Sequence, residues 1–303
     1  MKIDAILCKY YIYLLKISNT IGLHNAVVSG DGDVYTWGCN DDGALGLLDE
    51  SDKDKKKIDE TFIPKKVLRL CPNLKDFNQI PSNEPIKSVA TGDSHTLALS
   101  YTGTVYMFGA YKDKEGKYWR DVGPTGYPKS KWEKVEKQCV APRGVQESPI
   151  PVSTMKDLFV EYITCGSSAN AAILNDQTLV TWGIGECGEL GRPTDPMKLA
   201  DGSYDNQTII SQYLKPAPPV WSCGRSFLVH SVACGSFHTL VITKHFRVAT
   251  TGLNNYGQLG HGDIKNRDRL TFVSVNSFVL LFHFTFDSIG TFNLIYVFLS
   301  LLQ

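Results

Sequence analysis

The sequence predicts an all-β protein built as a β-propeller. Three observations carry this: a phrase Gly-x-x-His-Thr that recurs about every 70 residues, an apolar alternation after it, and an aromatic-Gly pair that ends each unit. Self-similarity at a fixed period decides architecture before any local pattern does.

Four copies align. The first is Gly22-Leu23-His24-Asn25 followed by AVVSGDGDVYTWG, and the second is Gly92-Asp93-Ser94-His95-Thr96 followed by LALSYTGTVYMFG. The third is Gly166-Ser167-Ser168-Ala169-Asn170 with AAILNDQTLVTWG, and the fourth is Gly235-Ser236-Phe237-His238-Thr239 with LVITKHFRVATTG. The anchor position runs His24, His95, Ala169, His238, in steps of 71, 74 and 69 residues. That period is long for a solenoid and suits a propeller blade carrying an insertion.

Each copy reads as a hairpin. Leu97 and Leu99, then Val105, Tyr106 and Phe108, are β-formers on either side of a turn at Tyr101-Thr102-Gly103. Alternation demands that one face be buried against a neighbouring sheet. One unit cannot bury its own face, whereas several fanned radially can.

A second phrase closes three copies: GCNDDGALG from Gly38, GIGECGELG from Gly183 and GLNNYGQLG from Gly252. The two inner glycines stand five residues apart each time, which suggests positive φ or close approach to the next blade. Copy two departs. Gly109 to Gly116 is seven residues, and no Leu-Gly follows. The intervening Ala110-Tyr111-Lys112-Asp113-Lys114-Glu115 is charged, with one aromatic. Loops on a rigid scaffold are where binding residues collect.

Charge excludes one function class as the leading idea. The 31 basic residues balance 31 acidic ones, so no net field holds a phosphate backbone. Aromatics at 11% and 26 glycines suit a turn-rich β protein rather than a helical one.

The phrases GCNDDGALG, GDSHTLALS and VYMFGAYKD closely resemble the regulator of chromosome condensation family, whose type member is the exchange factor for the small GTPase Ran. The resemblance runs over residues 22–275 in the family's own order. It implies a seven-bladed propeller, of which four blades are recognisable here. It implies a short β-wedge that pries at the phosphate-binding region of the GTPase. The wedge residues expected are Ala110, Tyr111, Lys112, Asp113, Lys114, Glu115 and Gly116. Asp93 matches an acidic residue facing the GTPase beside the wedge. Ser168 stands where the family carries an aspartate important for exchange, and no repeat follows Gly260 to supply a further family histidine. The function implied is guanine nucleotide exchange on Ran, by binding and stabilising the nucleotide-free GTPase. No covalent chemistry, catalytic nucleophile, metal or cofactor is expected. The alternative is a propeller interaction module that lacks exchange activity. The partners implied are Ran and, beyond it, histones or chromatin. The location implied is the nucleus, with the cytoplasm as alternative.

The ends match no repeat. Residues 1–21 lack the basic tail that in the family engages chromatin, and show no signal-peptide cleavage site. Residues 276–303 are apolar and Phe-rich. Their length would permit a membrane span, but Asp287, Gly290 and Asn293 interrupt it. Sequence foreign to the repeats, mistranslated or mispredicted, is preferred over a span or packed strands. A membrane tether is not expected. Four visible blades leave open whether the chain is a fragment or takes its missing blades from elsewhere.

Several tempting motifs have blander readings. GIGECG spells GxGxxG after LVTW, but Arg192-Pro193 follows where a dinucleotide fold needs a helix. His24, His95 and His238 occupy one repeat position, so bonding within each blade is expected rather than a shared metal. The eight cysteines form no CxxC, and free thiols suit a reducing compartment; Cys165 and Cys234 sit at a small buried repeat position. DESDKDKKKIDE over 49–60 and KSKWEKVEK over 129–137 read as solvated loops. Asn206-Gln207-Thr208 spells a glycosylation site, with nothing supporting secretion.

Overall fold

The computed structural model of the chain describes residues 16–17, 22–47, 60–67, 84–112, 116, 145–194, 210–274, 282–286 and 292–296. The repeats form successive antiparallel sheets, each strand beside its sequence neighbour. The first sheet holds β1 (Lys16–Ile17), β2 (His24–Val28), β3 (Val34–Cys39) and β4 (Glu60–Lys66). The second holds β5 (Ile86–Thr91), β6 (His95–Ser100), β7 (Val105–Ala110) and β8 (Val145–Pro151). The third holds β9 (Val160–Cys165), β10 (Ala169–Leu174) and β11 (Leu179–Gly183). The fourth holds β12 (Val229–Cys234), β13 (His238–Thr243), β14 (Val248–Gly252) and β15 (Arg267–Phe272). The architecture is a partial propeller.

Register repeats with the sequence. His24 pairs with Gly38, His95 with Gly109, Ala169 with Gly183, and His238 with Gly252. One residue on, Asn25 faces Trp37, Thr96 faces Phe108 and Asn170 faces Trp182. The pairing glycine has φ between 99° and 114° in all four copies. A Cβ there would lie 2.2–2.5 Å from the carbonyl oxygen of the residue before the anchor. No side chain fits that approach, so the aromatic-Gly pair is a packing requirement.

The alternation predicted one buried face per hairpin. Both faces of β6 and β7 are buried, because the second sheet is sandwiched between the first and the third. Ala26, Val28 and Val34 pack on Ile86, Val89, Ala98 and Tyr106. Leu97, Leu99, Val105 and Met107 pack on Val160, Ala172, Val180 and Trp182. Ala171, Ile173 and Leu179 pack on Val232, Val241, Ala249 and Trp221. Burying each large aliphatic side chain contributes roughly 1.5–3 kcal/mol, so the three inter-sheet cores dominate stability.

The third sheet handles its outer edge differently. Ala217 makes an isolated bridge to Thr181 where the other sheets have a fourth strand. The buried Arg192 guanidinium donates to the carbonyls of Thr181, Ala217, Gln212 and Lys215, satisfying backbone groups that a strand would have paired. Arg192 follows Gly191 directly, so no helix opens after GIGECG and the dinucleotide reading has no structural context.

The end segments differ from expectation in one respect each. Lys16–Ile17 pairs with Val27–Val28, so a strand of the first sheet comes from the segment read as non-repeat. In the C-terminal segment, β16 (Phe282–Phe286) and β17 (Phe292–Tyr296) pair as an antiparallel hairpin. Among the described residues no helix is long and apolar enough to cross a membrane. The lysine clusters of 49–60 and 129–137, apart from Glu60, and the Asn206 triplet lie outside the described residues.

Candidate functional site

The Gly-x-x-His loops meet on one face and bond directly from blade to blade. Asp93 N–H donates to Ser167 O at 3.1 Å, and Ser167 N–H donates to Ser236 O at 3.2 Å. Gly22 lies against Asp93, where a Cβ would sit 2.5 Å from the Asp93 carbonyl oxygen. These contacts hold four loops around a shared basin of about 690 Å³.

Beneath the loops, the anchor histidines act between blades rather than within them, which corrects the expectation. His24 Nε2 bonds Thr96 Oγ1 at 2.8 Å, and Thr96 donates onward to Ala44 O at 2.8 Å. Because Thr96 spends its proton on Ala44, His24 carries its proton on Nε2. His95 Nε2 reaches Asn170 Oδ1 at 2.7 Å in the third blade. Burial holds both imidazoles down to a pKa of about 4, so both are neutral near pH 7.

The second blade lacks the carbonyl just before Leu-Gly that neighbouring blades offer, Ala44 O to Thr96 and Glu189 O to Thr239, each at 2.8 Å. Tyr111 fills that place. Its ring stacks edge-on against His95 at 4.9 Å, and its hydroxyl accepts from Asn170 Nδ2 at 2.7 Å. Ala110 ends β7 and is fully buried, with its N–H on Ser94 O. Ala110 and Tyr111 were expected on the protruding wedge. Both are interior, because the propeller needs them to close the interface the missing phrase would have closed.

Lys112 anchors the base of the lengthened loop. Lys112 N–H donates to Ser168 Oγ at 3.2 Å, and Ser168 Oγ–H returns a bond to Lys112 O at 2.8 Å. Lys112 Nζ pairs with Asp42 Oδ2 at 2.6 Å. The loop base is thereby tied to the first and third blades. Gly116 is exposed on the basin rim, whereas Asp113, Lys114 and Glu115 lie outside the described residues. Asp93 is exposed and lines the same basin, and Ser168 is buried beneath the loop base.

Acidic groups dominate the lining: Asp41, Asp42, Asp93, Glu186 and Glu189, with Lys112 among them. Asp41, Asp42, Glu186 and Glu189 were not singled out from sequence. They sit inside the glycine phrases, whose regular spacing reads as backbone geometry alone. Glu189 is buried and accepts from Cys187 N–H at 2.8 Å; burial raises its pKa to about 7. Ser167 Oγ is buried with no hydrogen-bond partner among the described residues. Among those residues no group of His, Cys, Asp and Glu is arranged to hold a metal ion. The basin therefore offers an acidic surface on the face where the four loops meet.

The repeat described as "Regulator of chromosome condensation (RCC1) repeat" matches residues 31–99, and a second form of it matches residues 229–258. Regulator of chromosome condensation from Mus musculus is 28% identical over 239 residues, covering 79% of this chain and 47% of that protein. The chain carries repeats of the regulator of chromosome condensation type. Among its relatives, Protein RCC2 of Homo sapiens is 26% identical over 264 residues, covering 82% of this chain and 41% of that protein. A solved structure of yeast RCC1 (Prp20) bound to Kap60 superimposes with a TM-score of 0.62 at 22% identity, covering 88% of this chain and 50% of that one. The Saccharomyces cerevisiae Prp20p structure, described with its binding properties to Gsp1p and histones, gives 0.61 at 20% identity, covering 88% of this chain and 51% of that one. The chain spans about half the length of the curated relatives it matches.

Proposed function

We propose that this chain engages a small GTPase of the Ran class on its Gly-x-x-His face and speeds release of the bound nucleotide. One observation carries the reading: Lys112, at the base of the lengthened loop after Gly109, is pinned between Asp42 and Ser168 on the rim of the acidic basin that Asp93 also lines. A rigid base lets a short loop push on a partner without folding back. Carboxylates around it favour a basic partner surface and steer its approach.

The mechanism is thermodynamic. A protein that binds the nucleotide-free GTPase better than the loaded form shifts the equilibrium by that difference in affinity, and by no more. The loop residues Lys112 to Gly116 would disturb the nucleotide site while Asp93 holds the partner. No bond is made or broken in this chain, so the activity is not enzymatic in the covalent sense. Prp20p, described with Gsp1p and histones, supports the kind of partner. Histone or chromatin contact and a nuclear location belong to the same proposal. Relatives do not share one compartment, since a mitochondrial RUG3 of Arabidopsis thaliana is among them.

A second reading, binding without exchange, is favoured by Ser168. Its hydroxyl is committed to the Lys112 backbone, where the family resemblance implies a carboxylate. Release of labelled GDP from purified Ran, with and without this chain, separates the two. Accelerated release supports exchange. Binding without acceleration supports the second reading, and absence of both sinks the proposal.

A further inference from the structure

The residue after the loop glycine is Asp93, Ser167 and Ser236 in the second, third and fourth blades. Backbone bonds link the three in series, from Asp93 N–H to Ser167 O and from Ser167 N–H to Ser236 O. The third-blade loop thus has a neighbour on each side within the chain. Its part of the basin is shaped by contacts inside the arc. Glu189, in the glycine phrase of the same blade, is fixed there too, because Thr239 of the fourth blade donates to its carbonyl oxygen.

Three side-chain oxygens in this part of the basin are uncommitted. Ser167 lines the basin and is 6% exposed, and its Oγ has no hydrogen-bond partner among the described residues. A buried hydroxyl left unpaired weakens a fold, so its retention calls for a reason. Glu189 is 4% exposed and spends Oε2 on Cys187 N–H, while its other oxygen takes no hydrogen bond among the described residues. The Asp93 carboxylate lies exposed on the same basin, with no ion pair or hydrogen bond among those residues. Asp42, by contrast, is already paired with Lys112.

We infer that these oxygens form a binding site for a primary alkylammonium group, as carried by a free aliphatic polyamine or by a lysine side chain. An ammonium has three N–H donors and no acceptor, and the site offers two carboxylates and a hydroxyl. Bonds from a cation to carboxylates are the strong kind. A guanidinium fits less well, since its planar fork wants both oxygens of one carboxylate and Glu189 has spent one. A metal ion fits less well, since no third His, Cys, Asp or Glu among the described residues joins the pair. Ile184 and the half-buried Phe237 line the same basin and give methylenes an apolar wall, with a ring face for the charge. The site needs no GTPase, so its failure and that of the exchange reading are distinguishable.

Calorimetric titration of the 303-residue chain with 1,4-diaminobutane and with Nα-acetyl-lysine methylamide tests it. The titration is run at pH 8, where the Glu189 carboxyl, pushed up to about 7 by burial, is ionised. Saturable binding of either amine is expected, and whichever binds more tightly names the source, free polyamine or protein lysine. The permethylated dication of diaminobutane has the same charge and no N–H, and should bind at least about tenfold more weakly. Ser167→Ala should weaken amine binding about three- to tenfold. It should leave the urea midpoint of the free chain unchanged or higher, because the hydroxyl has no bond to lose. No saturable binding of either amine, equal binding of the permethylated dication, unchanged affinity in Ser167→Ala, or a lowered midpoint in that variant would each overturn it.

Discussion

The Tyr111 hydroxyl accepts a 2.7 Å hydrogen bond from Asn170 Nδ2, and Asn170 Oδ1 accepts one at 2.7 Å from His95 Nε2. Three buried side chains thus join the second blade to the third at the root of the lengthened loop. The loop could lose the family's glycine phrase because Tyr111 supplies the contact that the phrase makes elsewhere.

Tyr111→Phe should therefore destabilise the fold. It strands the Asn170 amide in a dry interface, a cost of about 1–3 kcal/mol. Urea unfolding would show it as a lower midpoint at unchanged slope. In a double-mutant cycle with Asn170→Thr, the two losses should not add, since both variants remove the Tyr111–Asn170 bond.

Acid should weaken the protein through its histidines. His24 and His95 have folded pKa values of about 4, below the ordinary 6.5, because burial disfavours their charged forms. The unfolded chain binds more protons between those limits, so stability falls as pH drops from 6.5 toward 4, by on the order of several kcal/mol for the pair. His95→Gln, which keeps a donor toward Asn170 but cannot titrate, should flatten about half of that limb in pH-dependent urea titrations.

Glu189 acts with the opposite sign. Burial raises its folded pKa to about 7 from 4.5, so the folded state binds the extra proton between those values. Its contribution is greatest below pH 4.5 and is lost as pH rises through 7. The stability of Glu189→Gln relative to the natural chain should rise by about 2–3 kcal/mol between pH 5 and pH 8. A pH-independent difference would show that the carboxyl stays ionised throughout.

Much of the fold is legible in the sequence, because repeated apolar alternation and repeated glycine at one register leave few architectures. The positive φ at Gly38, Gly183 and Gly252 follows from those offsets. What escapes is whatever one repeat does for the next. That His24 bonds Thr96 rather than a group in its own blade depends on blade-to-blade distance, which no single copy encodes. Tyr111 reads as a loop residue because it follows Gly109, yet it is buried by the neighbouring blade. The basin acids are hidden for a related reason. Glu186 and Glu189 come from one phrase and Asp41 and Asp42 from another, and only closure of the arc brings them together.

The exchange reading makes the lengthened loop the active part. Replacing residues 113–115 with Gly-Ser-Gly, while leaving Tyr111 and Lys112 in place, should reduce any acceleration of GDP release at least about tenfold, near 1.4 kcal/mol. Retained acceleration would move the prying element elsewhere.

The most direct measurement is the affinity of the 303-residue chain for Ran in two states, nucleotide-free and GDP-loaded, by calorimetric or surface-immobilised titration. Exchange by differential binding predicts markedly tighter association with the nucleotide-free form. Equal affinity for both forms, or none for either, would contradict it.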